Sequence, residues 1–241
     1  MHRFFINGDT IKNNEITIRG SDVRHIRDVL RLKPGSLITA VDGLSVEYAA
    51  AIKEIGKDKI TCDIKEKNDV NKEPLVSVTL AQAIPKRDKM ETIIKMTTEL
   101  GVAEIIPMVT ERVIVLGDYD KKVDRWQKIA MEASKQSGRV RVPKVRKAQG
   151  FEDVLKTIYT YDLAIIPFEL HKDIRITEML KRKRIYDIIL FIGPEGGFSH
   201  EEIKMAKNYG VFPVTLGSKI LRVETASVVA VALIMQKYKE L

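Results

Sequence analysis

Two glycine-bearing stretches near the end of the 241-residue chain carry the side chains best spaced for chemistry. The first, FIGPEGGFSHEE (Phe191–Glu202), sets Gly193, Pro194, Glu195, Gly196 and Gly197 between an apolar run and a helix start. Glycine is needed where the backbone takes positive φ or where a ligand must approach peptide groups directly. The order G-P-E-G-G is not G-x-G-x-x-G, and no G-K-[ST] follows, so neither a dinucleotide fingerprint nor a P-loop is supported. Glu195 would repel phosphates, which suits the loop to an uncharged or cationic ligand surface. The second stretch, TLGSKILRVETA (Thr215–Ala226), offers a turn at Gly217, an apolar wall in Ile220 and Leu221, and then Arg222, Glu224 and Thr225 just before an apolar run. Each stretch also has a purely structural reading. The first is then a tight strand-to-helix turn; in the second, Arg222 and Glu224 form an ion pair and Thr225 caps a helix.

The elements that must hold these loops follow from periodicity. Residues 1–70 read as short strands (RFFI, EITIRG, SLITAVDG, KITCDIKEK) around one helix, SDVRHIRDVLR, with Ser21 as its cap. The polar segment Lys65–Pro74 is the linker candidate. From Pro74 to Leu241 the pattern changes to strands without polar alternation (LVSVTLAQA, AEIIPMV, DLAIIPF, DIILFIG), separated by amphipathic helices. That predicts a mainly parallel sheet covered on both faces. Asp88 and Glu91 have capping-box spacing ahead of a helix that stops at Gly101; a second helix runs from about Lys122 to Ser137. Ser199 and Glu202 repeat the capping-box spacing, with a stop at Gly210. The glycine loop therefore lies between a strand's carboxyl end and a helix, where open α/β sheets bind ligands. The last helix, about Ala226 to Lys237, is apolar nearly all round and needs cover on more than one side: a sheet plus either a partner subunit or the rest of the monomer.

Composition bounds the function. The 44% hydrophobic and 31% charged content is that of a globular protein, and the longest apolar stretch, Ala226–Met235, is too short to span a bilayer. No secretory signal is legible, so a cytoplasmic location is expected. The single cysteine, Cys62, excludes an intrachain disulfide and reads as a buried strand residue. His2, His25, His171 and His200 have no metal-ligand spacing, so no metal is expected. Net charge is +8 and KQSGRVRVPKVRK (Lys135–Lys147) has six basic and no acidic residues, which favours a polyanionic partner. KRKR (Lys181–Arg184) reads as a solvated helix end.

The paired signatures FIGPEGGFSHEE and LGSKILRVETA, with HRFF, HIRDVLRLKPG, KRDKMETIIKMTTELGVAEIIPMVTERV and RWQKIAMEASKQSGRVRVP in the same order, resemble the RsmE family over essentially the whole chain. These are bacterial methyltransferases of the SPOUT class that modify N3 of a uridine in 16S ribosomal RNA. Lys219 stands where the family usually has Arg, and Val223 where Thr is common. The resemblance implies a PUA-like RNA-binding β-barrel over residues 1–70 and a SPOUT α/β domain with a trefoil knot over 74–241. General topology rules run against the knot.

It also implies S-adenosylmethionine bound bent in the knot by Leu80, Ala81, Gln82, Phe168, Ile192, Gly193, Pro194, Glu195, Gly196, Gly197, Leu216, Gly217, Ile220, Leu221 and Arg222. A homodimer packed through knot helices is implied as well. Physically, methyl transfer rewards near-attack geometry, and loss of the N3 proton spreads negative charge onto O2 and O4. We assign Arg222 to that charge, with Glu224 as its orienter or as the proton acceptor. Arg139, Arg141 and Lys144, with Arg24 and His25, are assigned to RNA phosphates of the ribosomal RNA or small ribosomal subunit. A noncatalytic RNA-binding protein, a methyltransferase acting on another RNA, and a small-molecule nucleotide enzyme are the alternatives.

Overall fold

The computed structural model describes residues 2–6, 10–70, 73–113, 119–170, 173–181 and 185–238. The chain divides into two compact units, Met1–Glu73 with Ser134–Val142, and Pro74–Ala133 with Pro143–Leu241. The sequence reading places Ser134–Val142 in the second domain, whereas here it packs with the first unit.

The first unit contains β1 (His2–Phe5), β2 (Ile11–Lys12), β3 (Glu15–Arg19), α1 (Ser21–Arg24), a π turn (His25–Val29), β4 (Leu37–Val41), β5 (Val46–Ile55) and β6 (Lys59–Asp69). Its sheet runs β1-β4-β5-β6-β3-β2, antiparallel except for β1 with β4. Period-two alternation puts Ile16 and Ile18, Val46, Tyr48, Ala50 and Ile52, and Ile60 and Cys62 on one face, where they form a core with Phe4, Val23 and Ile26. Burial, with Asp63 beside it, pushes the Cys62 thiol up to about 12. Two expectations need correction. Ser21 is the first helical residue rather than the cap; Gly20 takes that place with φ 75°. Lys65–Asp69 is no linker but the end of β6, which stays paired with β5 after its pairing with β3 has ended at Asp63. Beyond Asp63 β6 is an edge strand whose residues Lys65–Asp69 are all exposed and polar, which imitates a linker in composition. Asn71, Lys72 and Arg182–Arg184 lie outside the described residues.

The second unit's strands are β7 (Ser77–Ala83), β8 (Glu104–Val109), β9 (Lys144–Val145), β10 (Gln149–Gly150), β11 (Leu163–Pro167), β12 (Asp187–Ile192) and β13 (Phe212–Val214). All pair in parallel in the order β10-β8-β7-β12-β11-β13, with β9 also on β8. The central strands β7 and β12 are buried along nearly their whole length, as their lack of polar alternation requires. The helices are α2 (Lys89–Glu99), α3 (Asp120–Ser137), α4 (Phe151–Leu155), α5 (Ile176–Met179), α6 (His200–Tyr209) and α7 (Val223–Lys237). From β7 the chain proceeds through α2 to β8 on one side; from β12 it proceeds through α6 to β13 on the other. The strand order thus reverses between β7 and β12, and a crevice opens at such a point.

The α6 capping box forms as expected: Ser199 Oγ accepts from Glu202 N at 3.2 Å, and Glu202 Oε2 accepts from Ser199 N at 2.9 Å. Gly210 closes the helix in the left-handed region, φ 99°. The α2 box does not form. Asp88 sits at φ −90°, ψ 9°, outside the extended region a capping side chain requires, and its carboxylate makes no cap bond. Glu91 instead pairs with Arg125 at 2.8 Å. Helix α7 starts at Val223, earlier than Ala226, so Arg222 holds the N-cap position and Thr225 is already helical.

Candidate functional site

The loops after β11, β12 and β13 enclose a cavity of about 590 Å³ in the second unit. Phe168 comes from the first loop, Ile192–Gly197 from the second, and Leu216, Gly217, Ile220, Leu221, Arg222 and Glu224 from the third. Thus both glycine stretches, far apart in elements but adjacent at the sheet's carboxyl edge, face one space. Two glycines are required by backbone conformation: Gly197 at φ 66° and Gly217 at φ 127°. The Gly217 turn is held by its N–H, which donates to Thr215 Oγ1 at 3.1 Å. Gly193 is required by space, since an added Cβ would lie 3.1 Å from the ring of Phe198, itself buried.

Leu80, Ala81 and Gln82 do not line this cavity. They sit in the middle of the sheet with no exposed surface, because β7 is covered on both faces. Gln82 serves as a support: Nε2 donates to Ala83 O at 2.9 Å, and Oε1 accepts from Ser227 Oγ at 2.6 Å, fixing the first turns of α7. The sequence reading also missed Lys89, Glu169, Phe198 and Lys219, which line the cavity. Lys89 is the most consequential. Its Nζ lies 2.9 Å from Glu195 Oε1 and 3.7 Å from Glu224 Oε2, so one cation from the start of α2 faces a carboxylate on the β12 loop and another in the first turn of α7. No local motif announces such a contact. The hydrogen bond to Glu195, assisted by both nearby carboxylates, raises the Lys89 ammonium above its ordinary value. Burial acts to raise the Glu195 carboxyl, but Lys89 and the Lys86 amide outweigh it, and the group is held below the usual carboxylate range.

Arg222 and Glu224 share the cavity but do not form the ion pair of the structural reading; Glu224's ion-pair partner among the described residues is Lys89. Oε2 of Glu224 is buried without a hydrogen-bond partner, and Arg222 is exposed. Ile220 lines the cavity while remaining 88% exposed, an apolar side chain at the mouth rather than in a wall.

In the basic run Lys135–Lys147, three of the six cations are paired with carboxylates distant in sequence. Arg139 is buried and ion-paired with Glu73, and Lys135 bonds Asp22 at 3.1 Å. Arg146 bonds Glu104 at 2.5 Å, while Arg141 Nε donates to Leu44 O at 2.9 Å. The assignment of Arg139 to RNA phosphates is therefore corrected: its charge is committed inside the first unit, and its surface is only 8% exposed. Lys144 is exposed on β9. Arg24 and His25 are exposed on the first unit, with the His25 ring set edge-on against Phe4 at 6.4 Å. Among the described residues no cluster of three or more His, Cys, Asp or Glu is placed to hold a metal ion, and no helix is long and apolar enough to cross a membrane. His171 lies outside the described residues.

Residues 71–235 match the RNA methyltransferase domain family, and residues 18–65 match the RNA methyltransferase PUA domain. A parallel α/β unit with a loop-built cavity at its carboxyl edge, preceded by a PUA-like unit, thus defines the class as an RNA methyltransferase. The chain is 33% identical to ribosomal RNA small subunit methyltransferase E of Rickettsia conorii, over 96% of this chain and 93% of that one. Against the protein of the same name from Bacillus subtilis the figures are 31%, 97% and 96%. The crystal structure of ribosomal RNA small subunit methyltransferase E from Neisseria gonorrhoeae bound to S-adenosyl methionine superposes with a TM-score of 0.89 at 30% identity, covering 98% of this chain and 97% of that one. The chain belongs to the ribosomal RNA small subunit methyltransferase E family.

Proposed function

We propose that this protein transfers a methyl group from S-adenosylmethionine to N3 of a uridine in small-subunit ribosomal RNA. The observation that carries the reading is the convergence of Gly193–Gly197 and Leu216–Arg222 on one cavity with Arg222 and Glu224 at the start of α7. The space fits the cofactor: about 590 Å³ lies within the range of small-molecule sites, and two glycines at positive φ expose peptide groups along its walls. Phe168, Ile192, Leu216 and Leu221 supply apolar contact for a purine; Ile220, exposed at the mouth, gains cover when the site fills. S-adenosylmethionine supplies an electrophilic methyl carbon on its sulfonium.

The chain's own residues supply position and charge. Arg222, fixed in extended backbone at φ −64°, ψ 153° by the helix it precedes, faces the charge that develops on O2 and O4 as the N3 proton leaves. Glu224 takes that proton. Its Oε2, which faces Lys89 at 3.7 Å but accepts no hydrogen bond, favours this role over orienting Arg222, to which it is not bonded. Lys89 holds Glu195 in the wall and faces Glu224, fixing the spacing of the two carboxylates.

In this reading the chain threads a trefoil knot through the loops around the cavity, and the domains are 1–70 for RNA binding and 74–241 for catalysis. The protein acts in the cytoplasm without a metal, on free RNA or an assembled subunit. It works as a homodimer packed through α7, whose Val228, Val229, Ala232 and Leu233 are only partly covered. Arg24, His25, Arg141 and Lys144 contact RNA phosphates. Titration calorimetry with S-adenosylhomocysteine tests the site. Micromolar binding lost in Gly217→Val supports it; no heat with folded protein leaves a noncatalytic RNA-binding protein.

A further inference from the structure

A second cavity, of about 480 Å³, lies against the first, and the two share Pro194, Glu195 and Gly196 as a common wall. Ile84 and Val113, both buried, supply its apolar lining; Lys86 and Arg112, both exposed, supply its cations. Among the described residues that line it the one carboxylate, Glu195, is already engaged by Lys89 at 2.9 Å and by the Lys86 backbone N–H at 3.2 Å. Two side-chain cations therefore stand against a carboxylate that a third cation neutralises, and the cavity presents net positive charge.

The position of Arg112 is built rather than incidental. The buried Glu202 carboxylate, which caps α6, also accepts from the Glu111 backbone N–H at 2.9 Å and so fixes the residue preceding Arg112. Arg112 Nη1 donates to Gly196 O at 2.6 Å, and its stem lies on the Gly196 backbone so closely that an added Cβ would sit 3.3 Å from Arg112 Cδ. One arm of the guanidinium is spent on the wall, and the rest of the fork remains for an anion.

We propose that this cavity is the docking site for the substrate strand's phosphodiester next to the target base, held by Lys86 and Arg112, with the neighbouring nucleotide's apolar surface on Ile84 and Val113. The inference rests on the RNA-methylating reading of the first cavity. A base entering that cavity must bring its backbone past the shared wall, because a nucleotide splayed out for chemistry stays tethered to its strand. A phosphate is the anion such a strand carries at every residue, and a cationic rim beside an apolar floor matches a nucleotide better than a free inorganic ion.

The test measures two affinities on the full chain. Fluorescence anisotropy with a labelled in vitro transcript of small-subunit ribosomal RNA, across a salt series, reads RNA binding; calorimetry with S-adenosylhomocysteine reads the first cavity. For Lys86→Gln, which keeps the backbone N–H that bonds Glu195, RNA affinity is expected to fall about three- to tenfold, the slope of log K against log salt to lessen by about 1, and the adenosylhomocysteine affinity to stay unchanged. Arg112→Gln is expected to show the larger RNA loss. Unchanged RNA affinity and slope in Lys86→Gln, or no RNA binding by the wild-type chain, would overturn the proposal. So would a loss confined to adenosylhomocysteine, which would make the cavity a carboxylate site for the cofactor. Failure of the wild-type chain to bind adenosylhomocysteine while the RNA loss persists sinks the methyltransferase reading instead and leaves the phosphate site standing.

Discussion

Replacing Gly193 by alanine probes the cavity wall where it has least room. An alanine Cβ would meet Phe198 Cδ2 and Cε2 at 3.1 Å and the Gly197 carbonyl carbon at 3.3 Å. Neither neighbour yields easily. Phe198 is 3% exposed and packs on Phe151 at 5.4 Å between centroids, and Phe151 in turn meets Phe191 at 5.9 Å. Gly197 is held by its own turn bond to Pro194 O at 2.9 Å. One methyl forced into such a setting costs about 1–3 kcal/mol. At roughly 2–4 °C per kcal/mol for a chain of this size, the melting temperature should drop by about 2–12 °C. Whatever part of the strain moves the loop instead of the ring weakens the cofactor site, about tenfold for each 1.4 kcal/mol. Scanning calorimetry and adenosylhomocysteine titration measure the two shares. The double variant Gly193→Ala/Phe198→Leu, which shortens the ring in the way, should lose less than the sum of the single variants, since contacting sites couple. A Gly193→Ala protein that melts with the wild type and binds equally well would refute the close packing described for this wall.

Arg222→Ala should lower turnover about 100-fold or more while leaving adenosylhomocysteine affinity nearly unchanged, as expected for a donor aimed at developing charge; equal loss of both would make it a binding residue. Arg139→Met should cost about 3–5 kcal/mol in urea unfolding, by stranding Glu73 as a buried charge, and Glu73→Met should restore much of it; a neutral Arg139→Met would return that cation to the RNA surface. Because the Glu195 carboxyl is held low, its contribution to stability is present above the ordinary carboxylate range and is lost as pH falls through its depressed native value. With both partners partly exposed, that amounts to no more than about 1 kcal/mol, and Glu195→Gln should erase this part of the acid dependence. Cys62, buried and pushed up to about 12, should react with a thiol reagent only after denaturant is added.

The order of strands and helices was legible because β7, β8, β11 and β12 carry no charged residue in their interiors and α6 carries its cap and its stop in three residues, Ser199, Glu202 and Gly210. The glycine loops were legible for a related reason: Gly197 and Gly217 take backbone conformations other residues avoid. What stayed hidden was pairing between segments distant in sequence. Lys89 reads as an ordinary helix-start lysine until the fold brings Glu195 and Glu224 to it. Arg139, in a run without acidic residues, looks free until Glu73 is placed beside it. Leu80–Gln82 run the other way: the resemblance implies cofactor contact there, whereas the structure buries them in the sheet and bonds Gln82 to Ser227. Composition misled at Lys65–Asp69, since an exposed edge strand and a linker draw on the same polar residues.

The central claim is methyl transfer to a defined ring nitrogen, and its most direct measurement is mass spectrometry of nucleosides. Small subunits lacking the modification would be incubated with this protein and isotopically labelled S-adenosylmethionine, then digested. The account predicts labelled 3-methyluridine with the wild-type protein and almost none with Arg222→Ala. Label on a different nucleoside, or no label from folded protein that binds adenosylhomocysteine, would contradict it.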